Sequence, residues 1–190
     1  MVAATAVDTR RAIAARAAAE LHDGDVINLG AGIPMLVADF LPAGHDVVVQ
    51  AENGIVRAGP VSPPGTEEPD RRNAGNLPVS LLPGGCYVDS ATSFAMIRGG
   101  HIDATMIGTL QVDEDGNIAN YEMPGRKIGM GGAMDLVAGA RTVYVLTEHC
   151  TRAGVLMAPQ MIPARRRGRG PRRHAGSPQY ASVFTFSATS

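Results

Sequence analysis

The sequence predicts an α/β fold in which an open, mostly parallel sheet is covered by helices. Short apolar runs alternate with helical segments along the chain, which is typical of strands buried on both faces by crossover helices. Glycine is abundant, with 23 residues, and aromatic residues make up only 4% of the chain. This composition favours a core of small side chains and tight loops. A chain of 190 residues has room for one sizeable core.

The first half contains predicted elements that are bounded by turn-forming residues. They are a helix from Asp8 or Thr9 to about Leu21, a strand at 26–29, a helix from Pro34 to near Leu41, and a strand at 47–50. Proline suits the first turn of a helix, and Asp or Thr suits the position before one. Residues 58–76 are rich in Gly, Pro and charge, which predicts a long surface loop of the kind that often carries function.

The second half repeats this alternation of strand and helix. The predicted elements are a strand at 79–82 that Pro83-Gly84-Gly85 stops, a helix at 93–98, a strand at 104–112, a tight turn at Asp115-Gly116, a helix at 133–140 and a strand at 142–147. Glycine and proline mark the ends of these runs because neither continues a helix or a central strand well.

The charge distribution changes abruptly near residue 150. Residues 1–150 hold all 18 acidic residues and 10 basic ones, a balance of −8, whereas residues 151–190 hold 7 arginines and no acid, a balance of +7. We therefore separate a domain at 1–154 from an Arg/Pro-rich tail at 155–190. We expect the tail to be poorly ordered and the domain to keep an unpaired sheet edge.

Two explanations of this tail are open. Its composition is what a GC-rich gene gives when it is read out of frame. A nucleic-acid-binding tail is the functional alternative, although no aromatic residue is interleaved with the arginines. We favour the first explanation and expect no nucleic-acid partner.

Composition also excludes several classes of protein. Two cysteines are too few for a disulfide framework and favour a reducing cytoplasm. Arg10, Arg11 and Arg16 interrupt the alanine-rich start, so no leader is expected, and no window approaches the ~18 apolar residues of a membrane span. Five scattered histidines lack metal-ligand spacing, so no metal site is expected. We expect a soluble cytoplasmic protein.

Glu52 is the strongest candidate for chemistry. It follows the strand at 47–50 and precedes Asn53-Gly54, and ligands bind beyond the carboxyl ends of strands in open α/β sheets. A tight turn there would lift the carboxylate out of the sheet and leave the backbone amides of Asn53 and Gly54 nearby. Spacing alone leaves open the alternative of a solvated turn carboxylate.

Two glycine loops could offer N–H groups to an anion. Gly30-Ala31-Gly32 joins a strand to a helix, and Gly131-Gly132 opens another helix, so both could place amides at a helix N-terminus. The first is only part of a dinucleotide fingerprint, and the second lacks the Gly-Lys-Ser/Thr ending of a P-loop. The first is also compatible with a tight turn that binds no ligand, and the second with a flexible loop that contains a buried Met.

Several longer motifs, in order, resemble the B subunits of 3-oxoacid coenzyme A transferases. They are Gln-Ala-Glu-Asn-Gly at 50–54, Ser93 to His101, Gly129 to Val137, Gly30 to Pro34 and Glu148 to Cys150. The resemblance is continuous from about Arg10 to Arg152. It implies the open α/β sheet shared with some sugar-phosphate isomerases, Glu52 as the covalent nucleophile, and a partner A chain in a heterodimer or heterotetramer.

The resemblance also implies the reaction. CoA would pass from an acyl-CoA, with succinyl-CoA as the expected donor, to a 3-oxoacid such as acetoacetate or 3-oxoadipate, as in ketone-body or aromatic degradation. A glutamyl–CoA intermediate gives ping-pong kinetics and needs no cofactor beyond the CoA thioester, which is the substrate. The glycine loops at 30–32 and 129–132 are the expected candidates for oxyanion stabilisation. An acyl-CoA hydrolase on the same fold and a catalytically inactive ligand-binding or assembly chain are the alternatives.

Overall fold

The computed structural model describes residues 6–112, 118–120, 122–123, 125–127, 129, 131–148, 172–173 and 181–187. Its helices are α1 (Ala6–Ala18), a 3-10 helix (Ile33–Phe40), α2 (Ser90–Arg98) and α3 (Ala133–Gly139). Its longer strands are β1 (Val26–Leu29), β2 (Val48–Ala51), β3 (Ile55–Val61), β4 (Val79–Tyr87), β5 (Ala104–Gly108) and β10 (Thr142–Glu148). The remaining strands are β6 (Gln111–Val112), β7 (Ile118–Ala119), β8 (Glu122–Met123), β9 (Arg126–Lys127), β11 (Arg172–Arg173) and β12 (Ala181–Ser187).

One sheet organises the described part of the chain. It has eight strands in the order β11-β12-β10-β5-β1-β2-β3-β4. The four central strands, β10, β5, β1 and β2, run parallel, and the flanking strands pair antiparallel. The predicted α/β class is therefore confirmed, and the carboxyl ends of the central strands meet at one edge of the sheet, where ligands bind in such folds.

The helices cover both faces of this sheet, as strict alternation along the strands requires. On one face, α1 and the 3-10 helix pack against Met106, Tyr144 and Leu146. On the other face, α3 packs against Ile107 and Val145 and α2 joins the neighbouring cluster. Successive side chains of β5 and β10 thus face opposite helical layers, which explains the continuous apolar sequence of these strands.

The structure departs from the predicted elements in several places. Strand β3 occupies the first part of the loop predicted at 58–76, and the strand predicted at 104–112 is divided into β5 and β6. The second helix is a 3-10 helix, which periodicity over eight residues does not distinguish from an α-helix. The strand predicted to stop at Leu82 continues through Pro83 to Tyr87. It tolerates proline because β4 is the outer strand, where a missing N–H costs no ladder bond, and its pairing with β3 shifts register along this stretch.

The predicted tail at 155–190 falls largely outside the described residues, as do the turn at Asp115-Gly116 and residues 149–150. Two of its segments are described, and β12 pairs antiparallel with β10 from Thr142↔Ser187 to Glu148↔Ala181. The expectation of an unpaired sheet edge is therefore wrong at β10. The division of the chain at 154 and 155 stays a prediction.

Candidate active site

Glu52 lies where it was predicted, directly after β2 at the carboxyl edge of the parallel strands. Its side chain is partly buried. One carboxylate oxygen, Oε2, accepts a hydrogen bond of 3.3 Å from Nδ2 of Asn28. This hydrogen bond connects the carboxylate to a buried side chain of β1, while Glu52 itself follows β2 at the edge of the sheet.

The turn after Glu52 is held by close backbone packing. The amide of Gly54 donates to the carbonyl of Ala51 over 2.9 Å, and its carbonyl accepts from the amide of Val88 over 2.9 Å. Gly54 has φ of 116°, and a Cβ added to it would lie 2.1 Å from the carbonyl oxygen of Val88. Only glycine fits here, so the Glu52 turn is anchored to the segment that precedes α2.

A row of buried polar side chains lies beneath Glu52. Asn28, Gln50 and Ser93 are 0%, 1% and 0% exposed. Nδ2 of Asn28 donates to Oε1 of Gln50 over 2.7 Å, and Nε2 of Gln50 donates to Oγ of Ser93 over 2.6 Å. Buried amides of this kind are costly unless they are hydrogen-bonded, so this connected row restricts how each of its members is oriented.

The sequence-based reasoning did not identify Asn28, Gln50 and Ser93 as functional residues. A signal was present, because Asn28 interrupts the apolar run Val26–Leu29 and Gln50 ends the run Val47–Val49. Carboxamides within strands buried on both faces are unusual enough to mark a site. Which of them reaches Glu52 depends on strand order, because β1 and β2 are neighbours with Asn28 opposite Gln50.

The glycine loop before α3 lies beside Glu52. A Cβ added to Gly132 would lie 3.8 Å from Cγ of Glu52 and 2.9 Å from Cζ of Phe94 on α2. Gly131 precedes it with φ of 51°. Of the predicted pair, the structure therefore brings Gly132 to the nucleophile candidate, where α2 and α3 form one wall of the site.

The other predicted glycines have different surroundings. The amide of Gly30 donates to the carbonyl of Met106 over 2.8 Å, so it is occupied by sheet pairing. Gly32 is the residue before the 3-10 helix, and a Cβ built on it would meet open space. Of the two, Gly32 is the better candidate for contacting a ligand, because the N–H group of Gly30 already donates to the sheet.

The long loop at 62–78 closes over this edge of the sheet. Nδ2 of Asn53 donates to the carbonyl of Arg72 over 2.7 Å, which ties the loop to the Glu52 turn. At Gly75 the loop packs so closely on Met35 that an added Cβ would lie 2.5 Å from Sδ. The loop therefore joins the segment after β1 to the segment after β2, and the side chain of Asn53 serves this connection.

Metal-binding and membrane-spanning features are both absent from the described residues. They contain no group of three or more His, Cys, Asp or Glu side chains that could hold a metal ion. No described helix is both long and apolar enough to cross a membrane. Glu148, which precedes the undescribed residues 149–150, forms an ion pair of 3.0 Å with Arg10.

Comparison with known proteins identifies similar sequences. A family model described as coenzyme A transferase matches residues 10–158. The chain is 52% identical over 149 residues to the beta subunit of the acetate CoA-transferase of Escherichia coli (strain K12), covering 78% of this chain and 68% of that protein. It is 47% identical over 148 residues to the B-type subunit of a probable succinyl-CoA:3-ketoacid coenzyme A transferase of Bacillus subtilis (strain 168), covering 77% and 68%.

A solved structure supports the fold. The glutaconate coenzyme A-transferase of Acidaminococcus fermentans superposes with a TM-score of 0.58 at 18% sequence identity, covering 80% of this chain and 60% of that one. At this identity the likeness concerns the fold alone. The sequence relatives extend beyond the matched segment, and residues 159–190 lie outside the family match.

Proposed function

Because the chain belongs to the coenzyme A transferase family, as a chain of the B-subunit type, we propose that Glu52 is the nucleophile through which it transfers CoA. The observation that carries this proposal is the position of Glu52. It stands at the carboxyl end of β2, partly buried, hydrogen-bonded to Asn28 and beside Gly132. A carboxylate so placed can meet a thioester at the edge where ligands bind.

The chemistry needs two exchanges of acyl groups. The Glu52 carboxylate attacks the thioester carbonyl and expels CoA thiolate, which leaves an acyl-glutamyl anhydride. The thiolate then attacks the glutamyl carbonyl, releases the first carboxylic acid and forms a glutamyl–CoA thioester. An acceptor carboxylate attacks this thioester, expels the thiolate and forms a second anhydride. The thiolate attacks the acceptor's carbonyl, which yields the new acyl-CoA and frees Glu52.

Each of these steps places negative charge on a carbonyl oxygen. Backbone N–H groups that point to that oxygen stabilise it, and one such donor is typically worth about 3 kcal/mol. The amides of Gly30 and Gly54 are already engaged with Met106 and Ala51. We therefore assign the donor role to the loop at Gly131-Gly132, which lies beside Glu52, with the segment around Gly32 as the second choice.

The proposed substrates are short carboxylic acids and their CoA thioesters. The names of the two relatives include acetate in one case and succinyl-CoA with a 3-ketoacid in the other. We propose succinyl-CoA as donor and a 3-oxoacid such as acetoacetate or 3-oxoadipate as acceptor. A panel of acceptors that also contains acetate separates these choices by kcat/KM.

We propose further that the active enzyme pairs this chain with an A subunit of the same family. The names of the relatives, which describe them as subunits, support this pairing. CoA transfer is then expected from the co-expressed pair and not from the purified single chain. Robust transfer by the single chain would contradict this part of the proposal.

The test of Glu52 uses the co-expressed pair. Glu52→Ala should abolish transfer, and Glu52→Asp should lower it about 100-fold, because one methylene withdraws the nucleophile by about 1 Å. Incubation with succinyl-CoA alone should attach CoA to the peptide that carries Glu52, as mass spectrometry would detect. Glu68→Ala, which removes an exposed carboxylate from the loop at 62–78, is the matched control.

Three results would count against this assignment. Full activity of Glu52→Ala would show that Glu52 is not the nucleophile. A CoA label on another residue would identify that residue as the nucleophile instead. Release of free CoA at the transfer rate without any acceptor acid would instead identify a hydrolase, in which water takes the place of the acceptor.

A further inference from the structure

The buried polar row links helix α2 to the nucleophile candidate. It runs from Oγ of Ser93 to the side-chain amide of Gln50, then to Nδ2 of Asn28 and on to Oε2 of Glu52, with donor–acceptor distances of 2.6, 2.7 and 3.3 Å. Nδ2 of Asn28 also approaches the backbone carbonyl of Gln50 at 3.0 Å. No residue of this row other than Glu52 is more than 1% exposed.

Chemistry determines which way the Asn28 amide points. Its NH2 group faces Oε1 and the carbonyl of Gln50 and the carboxylate of Glu52, all of which are acceptors. Rotation by half a turn would bring Oδ1 against these oxygens. The observed orientation is the one that presents a donor to Glu52.

A competing orientation of Asn28 exists on the other side. Thr105 on β5 is opposite Asn28 in register, and Oγ1 of Thr105 and Oδ1 of Asn28 are both buried without a hydrogen-bond partner among the described residues. A rotated Asn28 would turn its NH2 group toward the Thr105 side, but Oδ1 would then face the acceptor oxygens of Gln50 and Glu52. Gln50 opposes this rotation by presenting Oε1 to Asn28 while its Nε2 donates to Oγ of Ser93.

We propose that Gln50 and Ser93 are positioning residues for the transfer reaction. They act through Asn28 and keep its NH2 group directed at the Glu52 carboxylate, so that the nucleophile is aimed before substrate arrives. The inference rests on the proposed role of Glu52. It assigns to the buried face of α2 a function in catalysis in addition to covering the sheet.

The experiment uses the co-expressed pair, with succinyl-CoA as the probe and acetoacetate as acceptor. Ser93→Ala removes the acceptor for Gln50, and Gln50→Met removes the amide while it keeps length and volume. Both should lower kcat about tenfold and leave KM for succinyl-CoA unchanged, because the Glu52 carboxylate loses its orientation while the contacts that bind succinyl-CoA are kept. Ser90→Ala, on the exposed first residue of α2, is the control and should keep the wild-type kcat.

A double-mutant cycle separates positioning from simple loss of packing. If Ser93 acts through Asn28, Ser93→Ala should lower kcat no further in an Asn28→Ala background. Wild-type kcat in folded Ser93→Ala and Gln50→Met, or a Ser93→Ala loss that is unchanged by Asn28→Ala, would overturn the inference. In either case a CoA label on Glu52 shows that the proposed function stands. A wild-type label elsewhere than Glu52 would overturn both.

Discussion

Gly54→Ala is expected to destabilise the chain strongly, because two separate costs fall on one residue. A non-glycine residue at φ of 116° is strained, at about 1–2 kcal/mol. The added Cβ would also lie 2.1 Å from the carbonyl oxygen of Val88, so backbone must move. Forced movement in packed structure costs about 1–3 kcal/mol. The sum of about 3 kcal/mol is a large part of the 5–15 kcal/mol that typically stabilises a domain.

Urea unfolding of this variant should be compared with that of Gly24→Ala. Gly24 has φ of 83° but no atom within 4 Å of an added Cβ, so its substitution carries the strain without the clash. We expect Gly24→Ala to cost about 1 kcal/mol with an unchanged denaturant slope. Equal losses for the two variants would refute the clash argument, and so would full CoA transfer by Gly54→Ala, because the Glu52 turn would then not depend on the contact with Val88.

Three further substitutions probe the site and its supports. Gly132→Ala places a Cβ 2.9 Å from Cζ of Phe94 and should lower kcat about tenfold, which steady-state kinetics would measure; wild-type kcat would show that this loop does not position the reaction. Asp89→Ala removes the cap of α2, where the Thr92 amide donates to the carboxylate and lowers the pKa of Asp89 below its usual 3.8. The ionised cap stabilises above that pH, so the gap in melting temperature between wild type and variant should close as pH falls through the lowered pKa; a constant gap would contradict this. Thr105→Val replaces a buried hydroxyl that has no partner among the described residues and should raise stability by up to about 1 kcal/mol in urea unfolding; a loss above 1 kcal/mol would show that the hydroxyl is bonded.

The elements that the sequence predicts well are those with strong local signals. The strand Val26–Leu29 has its predicted bounds because four apolar or amide residues stand between turn-forming residues. Helix α3 begins at its predicted residue, Ala133, after two glycines. Helix α2 begins three residues earlier than predicted, because Asp89 caps it through its side chain. Local chemistry is sufficient for the strand and for α3, and the start of α2 that the prediction missed also has a local cause.

The pairing of strands that are distant in sequence could not be predicted from local sequence patterns. Pro83 marks the end of a strand in most contexts, and only the outer position of β4 makes its continuation possible. The strand Ala181–Ser187 lies in the tail that the sequence predicts to be poorly ordered, and it pairs along the whole of β10. In both cases the outcome depends on which strand lies next to which, and no window of the sequence reports that.

The candidate site shows the same division between local and long-range information. Glu52 could be selected as a candidate from its own neighbourhood, because a strand end followed by Asn53-Gly54 is a local pattern, and the family resemblance then supplied its expected role. Asn28 and Ser93 lie 24 and 41 positions from Glu52 and are joined to it only by the sheet order and by Gln50. Apolar side chains would pack in this row without the cost of burying carboxamides. A fold that keeps polar groups there, including two buried oxygens with no described partner, gives up stability at the point where we propose that the Glu52 carboxylate is oriented for reaction.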